Sequence, residues 1–240
     1  MIEHVSAMPY ATAPRLSASL AEDVYRRLRQ DIVAGLYPPD TKLTIEELRA
    51  AYGAGASPVR EALTRLAADR LVRAAPQRGF WVEGLSHEAF ADITETRVRL
   101  ETMALGDAMA KGDEGWEVGL VAAKHRLDRL AADDPLTRPS ETWEARHREF
   151  HRALIAACGS PWLLHFLDLL MDQFDRIRRT AAVIATGATG LGVSHGELVE
   201  AALARRTAPA RSLLEQHVRD TARIVQTALD RPADHALEKR

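Results

Sequence analysis

The sequence predicts a mainly α-helical protein, in which an N-terminal winged helix-turn-helix domain is followed by an all-α helical bundle. Residues 20–82 combine three short helical patterns with two short β-like runs, in the order of a helix-turn-helix with a β-hairpin wing. Residues 87–230 contain six helical patterns in succession without a convincing strand, which indicates a bundle.

The first two helices are marked by their apolar spacing and by a capping pair. Apolar residues recur at helical spacing over 20–33, and Gly35 follows as a natural end of the helix. Thr44 and Glu47 form a capping box, in which the hydroxyl accepts from an unpaired amide of the first turn. A second helix is therefore expected from this pair to about Tyr52.

A third helix is expected over 57–66, with Ser57 as its N-cap and Pro58 at its first helical position. Its apolar residues fall on one face, whereas Arg60 and Arg65 project elsewhere. The free amides of its first turn suit contact with phosphate. As the second helix of a tight helix-turn-helix, this segment is typical of one that reads DNA.

A β-hairpin is expected after this helix. The β-like runs are residues 71–74 and 80–82, and the turn between them contains Arg78 and Gly79. This turn places Arg78 at the tip of a wing, where a cation can contact the DNA backbone.

The chain divides into four segments on these patterns. Residues 1–15 form a flexible arm, since they contain two prolines and little periodicity. The winged domain occupies 16–84, the helical domain 85–231 and a short tail 232–240. We expect a mobile loop at 186–192 and helices, with ends good to a few residues, at 87–111, 114–132, 140–158, 161–185, 194–206 and 208–230.

A family resemblance is carried by four strings, Gly35-Leu36-Tyr37-Pro38-Pro39, Lys42-Leu43, Ser57-Pro58-Val59-Arg60-Glu61-Ala62-Leu63 and Arg78-Gly79. Together they resemble the GntR-type transcriptional regulators, and the chain after them resembles the FadR branch, whose C-terminal FCD-type domain is helical and binds a ligand. The resemblance covers roughly residues 16–230. It implies a regulator, by default a repressor, that binds a palindromic double-stranded operator as a homodimer. The implied DNA-binding residues are Ser57, Arg60, Arg65, Arg78, Gly79 and Lys42.

This chain departs from the family pattern at one position of the third helix. Many relatives have an Arg directly before the Ser or Thr that precedes the Pro, and that Arg reaches a guanine. Here the position is Ala56. The resemblance therefore assigns base recognition to Arg60 together with Arg65.

Composition excludes several other classes of protein. The apolar fraction is 46% and the formal net charge is −2, so no global basic excess indicates nucleic acid. Cys158 is the single cysteine, which excludes an intrachain disulfide and fits a reducing compartment. The longest apolar stretch, at 162–171, is interrupted by His165 and Asp168. We therefore expect a cytoplasmic protein that does not span a membrane.

Four histidines occupy positions where the bundle helices should be apolar. His147 and His151 are four residues apart on one helix, and His195 and His217 fall on the apolar stripes of two others. Each buried imidazole needs a polar partner, which a hydrogen bond within the core would supply for any one of them. A shared divalent metal is the simplest partner for all four, with zinc first and nickel or manganese as alternatives.

The resemblance supports a metal and adds one departure. FadR-branch domains often have an Asp or Asn four residues before the His of a Phe-His pair, then two further histidines. Here His151 follows Phe150, His195 and His217 match the later pair, and His147 replaces the Asp or Asn. His147 is thus a fourth ligand, a group that supports the ligands, or an effector contact.

Two arginines are candidates to bind an effector carboxylate. Arg97 lies on an apolar stripe, where it must be paired, either by a carboxylate of the bundle or by the two oxygens of a ligand. Similar proteins place such an Arg in the effector pocket. Arg176 is the second candidate, and at least two of Arg176, Arg178 and Arg179 are expected on a solvated face.

The expected effector is a small carboxylate. The run at 156–164 resembles regulators of dicarboxylate catabolism, glutarate among the substrates. Two other classes of function are compatible with parts of the sequence. A metal-dependent enzyme with an accessory winged domain would also use open metal positions, but the usual catalytic motifs are missing and no carboxylate is evidently placed beside the histidines. A helical interaction protein would leave the basic residues of the winged domain without a role.

Overall fold

The computed structural model describes residues 19–75, 77–131, 140–184 and 195–230. The flexible arm, the C-terminal tail and the mobile loop expected from the sequence lie outside these ranges. Among the described helices, none is both long and apolar enough to cross a membrane.

The N-terminal domain is a helix-turn-helix with a three-stranded antiparallel sheet. Its elements are α1 (Leu20–Val33), β1 (Lys42–Leu43), α2 (Ile45–Tyr52), α3 (Ala56–Ala68), β2 (Val72–Ala75) and β3 (Gly79–Val82). The sheet order is β1-β3-β2. Helix α3 packs against both α1 and α2, and its buried residues share one apolar cluster with those of α1 and the sheet.

Thr44 is confirmed as the N-cap of α2. The Thr44 hydroxyl accepts from the Glu47 amide at 3.3 Å and donates to the Glu47 carboxylate at 2.5 Å. The helix ends at Gly53, whose φ of +63° is a left-handed conformation that glycine adopts without steric cost. This end starts the tight turn into α3.

The expected start of α3 was wrong by two residues, because the helix begins at Ala56 rather than at Pro58. Its N-cap is Gly55, and no side chain caps it. Ser57 is therefore inside the first turn and exposed rather than at the N-cap. Pro58 costs nothing there, because first-turn amides have no partner within the helix. The turn after Gly53 is short, so the chain enters the helix before it reaches the serine.

Strand β1 was not predicted, and it has only two residues. Lys42 pairs with Trp81 of β3, and Arg73 of β2 pairs with Trp81 from the other side. A two-residue strand has no alternation that a pattern could reveal. Its pairing to β3 fixes Lys42 on the wing sheet.

The C-terminal part is a helical bundle, as expected, with six helices in the part of it that the structure describes. Its helices are α4 (His87–Lys111), α5 (Glu114–Ala131), α6 (Glu141–Ile155), α7 (Pro161–Ile184), α8 (His195–Leu203) and α9 (Thr207–Leu229). Ser86 and Ser140 cap α4 and α6 by accepting from backbone amides. Helix α4 packs against α6, α7 and α9, so the inward residues of these three helices meet around it.

Candidate metal centre and nucleic-acid interface

The four histidines singled out in the sequence meet in the bundle. One ligand nitrogen from each of His147, His151, His195 and His217 can be chosen so that all lie within 4.8 Å of one another. The ring centroids of His195 and His217 are 4.8 Å apart, and those of His151 and His217 are 5.1 Å apart. Three helices, α6, α8 and α9, therefore converge on one small volume.

Burial keeps these imidazoles neutral. It lowers the pKa of His195 to about 4 and that of His217 to about 3. The pKa values of His147 and His151 lie well below the usual histidine range, again chiefly through burial, with neighbouring histidines and arginines acting in the same direction. Neutral rings keep a nitrogen lone pair free, which is the form that binds a metal.

A buried carboxylate orients His151. Glu101 of α4 is fully buried, and its Oε1 lies 2.9 Å from the His151 Nδ1. The neutral ring then donates from Nδ1 and directs the lone pair of Nε2 into the cluster. This arrangement is the common support for a histidine that ligates a metal. The sequence did not reveal this carboxylate, because Glu101 comes from a helix distant in sequence.

The residues fit a divalent metal. The Nε2 atoms of His151 and His195 are buried and have no hydrogen-bond partner among the described residues, a costly state for polar atoms unless something binds them. Trp143 stacks on His147 at 4.7 Å between centroids, and Phe150 packs edge-on against His195 at 4.8 Å. The aromatic rings fix the two imidazoles in place and shield them from water.

Arg97 lies beside this cluster. It is buried, and its Nε donates to Glu101 Oε2 at 2.7 Å, so the carboxylate partner weighed from the sequence exists. The guanidinium carbon is 4.5 Å from the centre of the Phe174 ring. Glu101 accepts from Nε alone, so the two terminal nitrogens of the guanidinium do not take part in this ion pair.

The arginine run of α7 differs from expectation in two ways. None of the three side chains projects from a solvated face. Arg176 is buried against the segment between the domains, where it donates to the Glu83 carbonyl at 2.7 Å. Arg178 is the one that borders the histidines, since it pairs with Glu144 and lies 6.0 Å from the Trp143 ring. Arg179 pairs with Glu141. Helical geometry explains the exchange, because residues 176 and 178 differ by about 200° around a helix axis.

Helix α3 presents one arginine outward and holds another back. Arg60 and Ser57 are exposed in its first two turns, and within the described residues Arg60 forms no ion pair. Arg65 instead turns to α1, where it pairs with Glu22 at 2.6 Å and lies 4.0 Å from the Tyr25 ring. Arg60 is thus the arginine of α3 that faces solvent without an internal partner.

The wing presents the remaining basic residues. Arg78 is exposed in the turn between β2 and β3, and Gly79, the exposed first residue of β3, has a φ of +103° that favours glycine. Lys42 is exposed on the sheet, with its amine 5.7 Å from the Trp81 ring. The predicted DNA-binding residues therefore lie on helix α3 and on the wing of one small domain.

Sequence comparison identifies both parts of the chain. The profile "Bacterial regulatory proteins, gntR family" matches residues 20–82, and the profile "FCD domain" matches 92–220. The HTH-type transcriptional repressor GlaR of Escherichia coli K12 is 36% identical over 212 residues, which cover 86% of this chain and 96% of that protein. The uncharacterized HTH-type transcriptional regulator BphR of Paraburkholderia xenovorans LB400 is 37% identical over 211 residues, which cover 87% of this chain and 86% of that protein.

Solved structures share the fold. Escherichia coli McbR/YncC superposes with a TM-score of 0.73 at 19% identity, over 89% of this chain and 100% of that one. A putative GntR transcriptional regulator from Rhodococcus sp. RHA1 gives a TM-score of 0.69 at 21% identity, over 87% and 98%. The relatives are regulators, so the metal-dependent enzyme considered from the sequence is set aside. The chain belongs to the GntR family of bacterial transcriptional regulators, with a DNA-binding helix-turn-helix domain followed by an FCD domain.

Proposed function

We propose that this regulator represses transcription by binding a palindromic operator as a homodimer, and that a small carboxylate bound beside a divalent metal relieves the repression. The observation that supports the proposal most is the convergence of four neutral histidines inside the domain that follows the DNA-binding module. The relative GlaR is named as a transcriptional repressor, which supports repression rather than activation.

For DNA recognition, helix α3 enters the major groove. Arg60 contacts a base edge from the first turns of this helix, and Ser57 contacts the backbone beside it. The wing follows the adjacent backbone with Lys42, Arg78 and Gly79, because exposed cations and a close backbone approach suit phosphate. Arg65 has a secondary role, since Glu22 and Tyr25 already hold its guanidinium.

His151, His195 and His217 hold the metal, and His147 is placed to be a fourth ligand. Four imidazole nitrogens favour zinc or nickel over manganese, which prefers oxygen donors. When bound, the ion supplies a fixed positive charge that attracts a carboxylate. Glu101 keeps His151 in the tautomer that this role requires, and the Trp143 ring restricts rotation of His147.

The effector is a small carboxylate, and a dicarboxylate suits two separated positive groups. One carboxylate of the effector lies near the histidine cluster. The two terminal nitrogens of Arg97 hold both oxygens of the other carboxylate by parallel hydrogen bonds. Arg176 has no part in this pocket, because its fork is used by the Glu83 and Gly84 carbonyls. The single cysteine, Cys158, is free and buried, which fits a reducing compartment such as the cytoplasm. Small dicarboxylates occur there.

Operator binding measured with and without zinc and a panel of small dicarboxylates tests the proposal. We expect a dicarboxylate to weaken operator binding only when zinc is present. Arg97→Lys is the informative variant, because it keeps the charge beside Glu101 but loses the bidentate fork. It should retain zinc and operator binding and lose the dicarboxylate response. Unchanged dicarboxylate sensitivity in this variant would remove Arg97 from the effector site.

His147→Ala separates the roles of the fourth histidine. Loss of zinc from the purified variant would make His147 a ligand in place of the Asp or Asn of relatives. Retained zinc with a lost dicarboxylate response would make it part of the effector pocket. His165→Ala, an exposed histidine of the same bundle, is the matched control and should change neither property.

A further inference from the structure

The two domains meet through polar side chains of α7. The buried apolar residues that the structure describes form two separate clusters, one in the winged domain and one in the bundle. At the junction between them stand Asp172, Gln173 and Arg176, which are 1%, 8% and 3% exposed. An interface built from a few polar contacts can rearrange far more readily than one sealed by an apolar core.

Each of these three side chains holds a different part of the DNA-binding domain. Asp172 forms an ion pair with Arg29 of α1 at 2.5 Å. Gln173 donates to the carbonyl of Asp69, the C-cap of the recognition helix α3, at 3.0 Å. The third residue, Arg176, donates to the Glu83 carbonyl at 2.7 Å and to the Gly84 carbonyl at 3.4 Å, in the segment that joins the domains.

The three contacts support one another. Arg176 also donates to the Gln173 side-chain oxygen at 3.4 Å, so one residue aligns the amide that reaches α3. Burial lowers the pKa of Arg176 to about 10, and nearby Glu83 and Asp40 oppose the shift. The arginine is still charged at neutral pH, and it depends on backbone carbonyls rather than on a carboxylate within hydrogen-bond range.

The same helices reach the histidine cluster. Arg148 pairs with Asp172 at 2.7 Å and lies on α6 between the two cluster histidines His147 and His151. On α7, Phe174 packs against Arg97, and Arg178 pairs with Glu144 beside the Trp143 ring. A shift of α6 or α7 at the cluster therefore changes the position of the groups that hold α1 and α3.

We propose that Asp172, Gln173 and Arg176 form a polar latch that fixes the recognition helix relative to the bundle, and that occupancy of the histidine cluster controls DNA affinity through this latch. The second half rests on the proposed function, whereas the first half does not. The residues of the latch contact neither the histidines nor Arg60. They therefore affect DNA binding only through the position of the recognition helix.

Hydrogen exchange tests the first half without DNA or metal. In Arg176→Ala and Asp172→Asn we expect the amides of residues 69–71 and 83–85 to exchange about tenfold faster than in the wild-type protein, because each change removes a buried charged contact. Arg179→Ala is the matched control, since this arginine of α7 pairs only within the bundle. Wild-type exchange rates in both latch variants would overturn the latch. Should Arg176→Ala fail to fold, Arg29→Ala breaks the latch from a partly exposed position.

Operator affinity with and without zinc tests the second half. Zinc should change the affinity of the wild-type protein about fivefold or more, as is usual for coupled sites. The latch variants should bind the same amount of zinc and show less than about half of this free-energy coupling. An equal zinc effect in the latch variants, or none in the wild type, would overturn the coupling. Failure to retain zinc or to bind any operator would instead contradict the proposed function, and hydrogen exchange would still decide on the latch.

Discussion

The two domains bury opposite kinds of side chain. Among the described residues, every buried polar or charged side chain lies in the bundle, and the buried residues of the winged domain are apolar. The winged domain therefore keeps its functional groups on the outside, where a large partner can reach them. The bundle keeps its functional groups inside, where a small ligand can be enclosed. Polar residues are thus placed differently in the two domains, as suits a large partner for the winged domain and a small one for the bundle.

The largest effect is expected where the bundle buries charge. Glu101→Ala removes the carboxylate that both Arg97 and His151 contact. We expect a loss of about 3–5 kcal/mol in the free energy of unfolding, because a buried cation is left without its partner. Urea denaturation measures the loss. Glu95→Ala, which removes a half-buried carboxylate of the same helix that pairs with Arg219, should lower the denaturation midpoint far less. Equal midpoints for the two variants would show that burial of charge does not distinguish this domain.

The next effect concerns metal in the bundle alone. Zinc at about one hundred times its dissociation constant should stabilise the folded protein by about 2.7 kcal/mol, which raises the melting temperature by about 5–10 °C. His151→Ala, His195→Ala and His217→Ala should each lose zinc content and most of this rise. Thermal scans of zinc-free and zinc-loaded protein, with elemental analysis, measure both. A full rise in all three variants would contradict a shared metal.

A smaller effect is expected on the outside of the winged domain. Arg60→Ala should lose about 1–3 kcal/mol of discrimination between operator and unrelated DNA, the usual worth of one bidentate base contact. Its thermal stability should not change, because the side chain has no internal partner in the described structure. Gel shifts at physiological salt measure the discrimination. Arg26→Ala, an exposed arginine of α1 paired with Asp23, serves as the control, and identical results for the two variants would refute the role of Arg60.

The smallest effect separates two hydroxyls of the winged domain, one that caps a helix and one that does not. Thr44→Ala removes a hydroxyl that accepts from the first turn of α2 and should cost about 1 kcal/mol. Ser57→Ala removes an exposed hydroxyl that caps nothing and should cost less than about 0.5 kcal/mol. Denaturation of both variants measures the difference. A larger loss for Ser57→Ala would restore this serine as the N-cap of α3.

Sequence by itself determined the helices of both domains and the residues of the histidine cluster. Apolar spacing located α1 and α4 at their observed ends, and Thr44 and Ser86 marked true N-caps. Histidines on otherwise apolar stripes indicated a shared site, because a lone buried imidazole is costly. These signals are local: each depends on residues within a few turns of one another.

Tertiary structure alone decided the partners that come from distant helices. Glu101 supports His151 from fifty residues away, and Arg176 reaches the Glu83 carbonyl across 93 residues. No pattern along the chain reveals such pairs, because they depend on how α4, α6 and α7 pack. Arg176 and Arg178 of α7 are only two residues apart in sequence but lie on different faces of the helix. Arg176 lies at the domain junction, and Arg178 lies beside the histidine cluster.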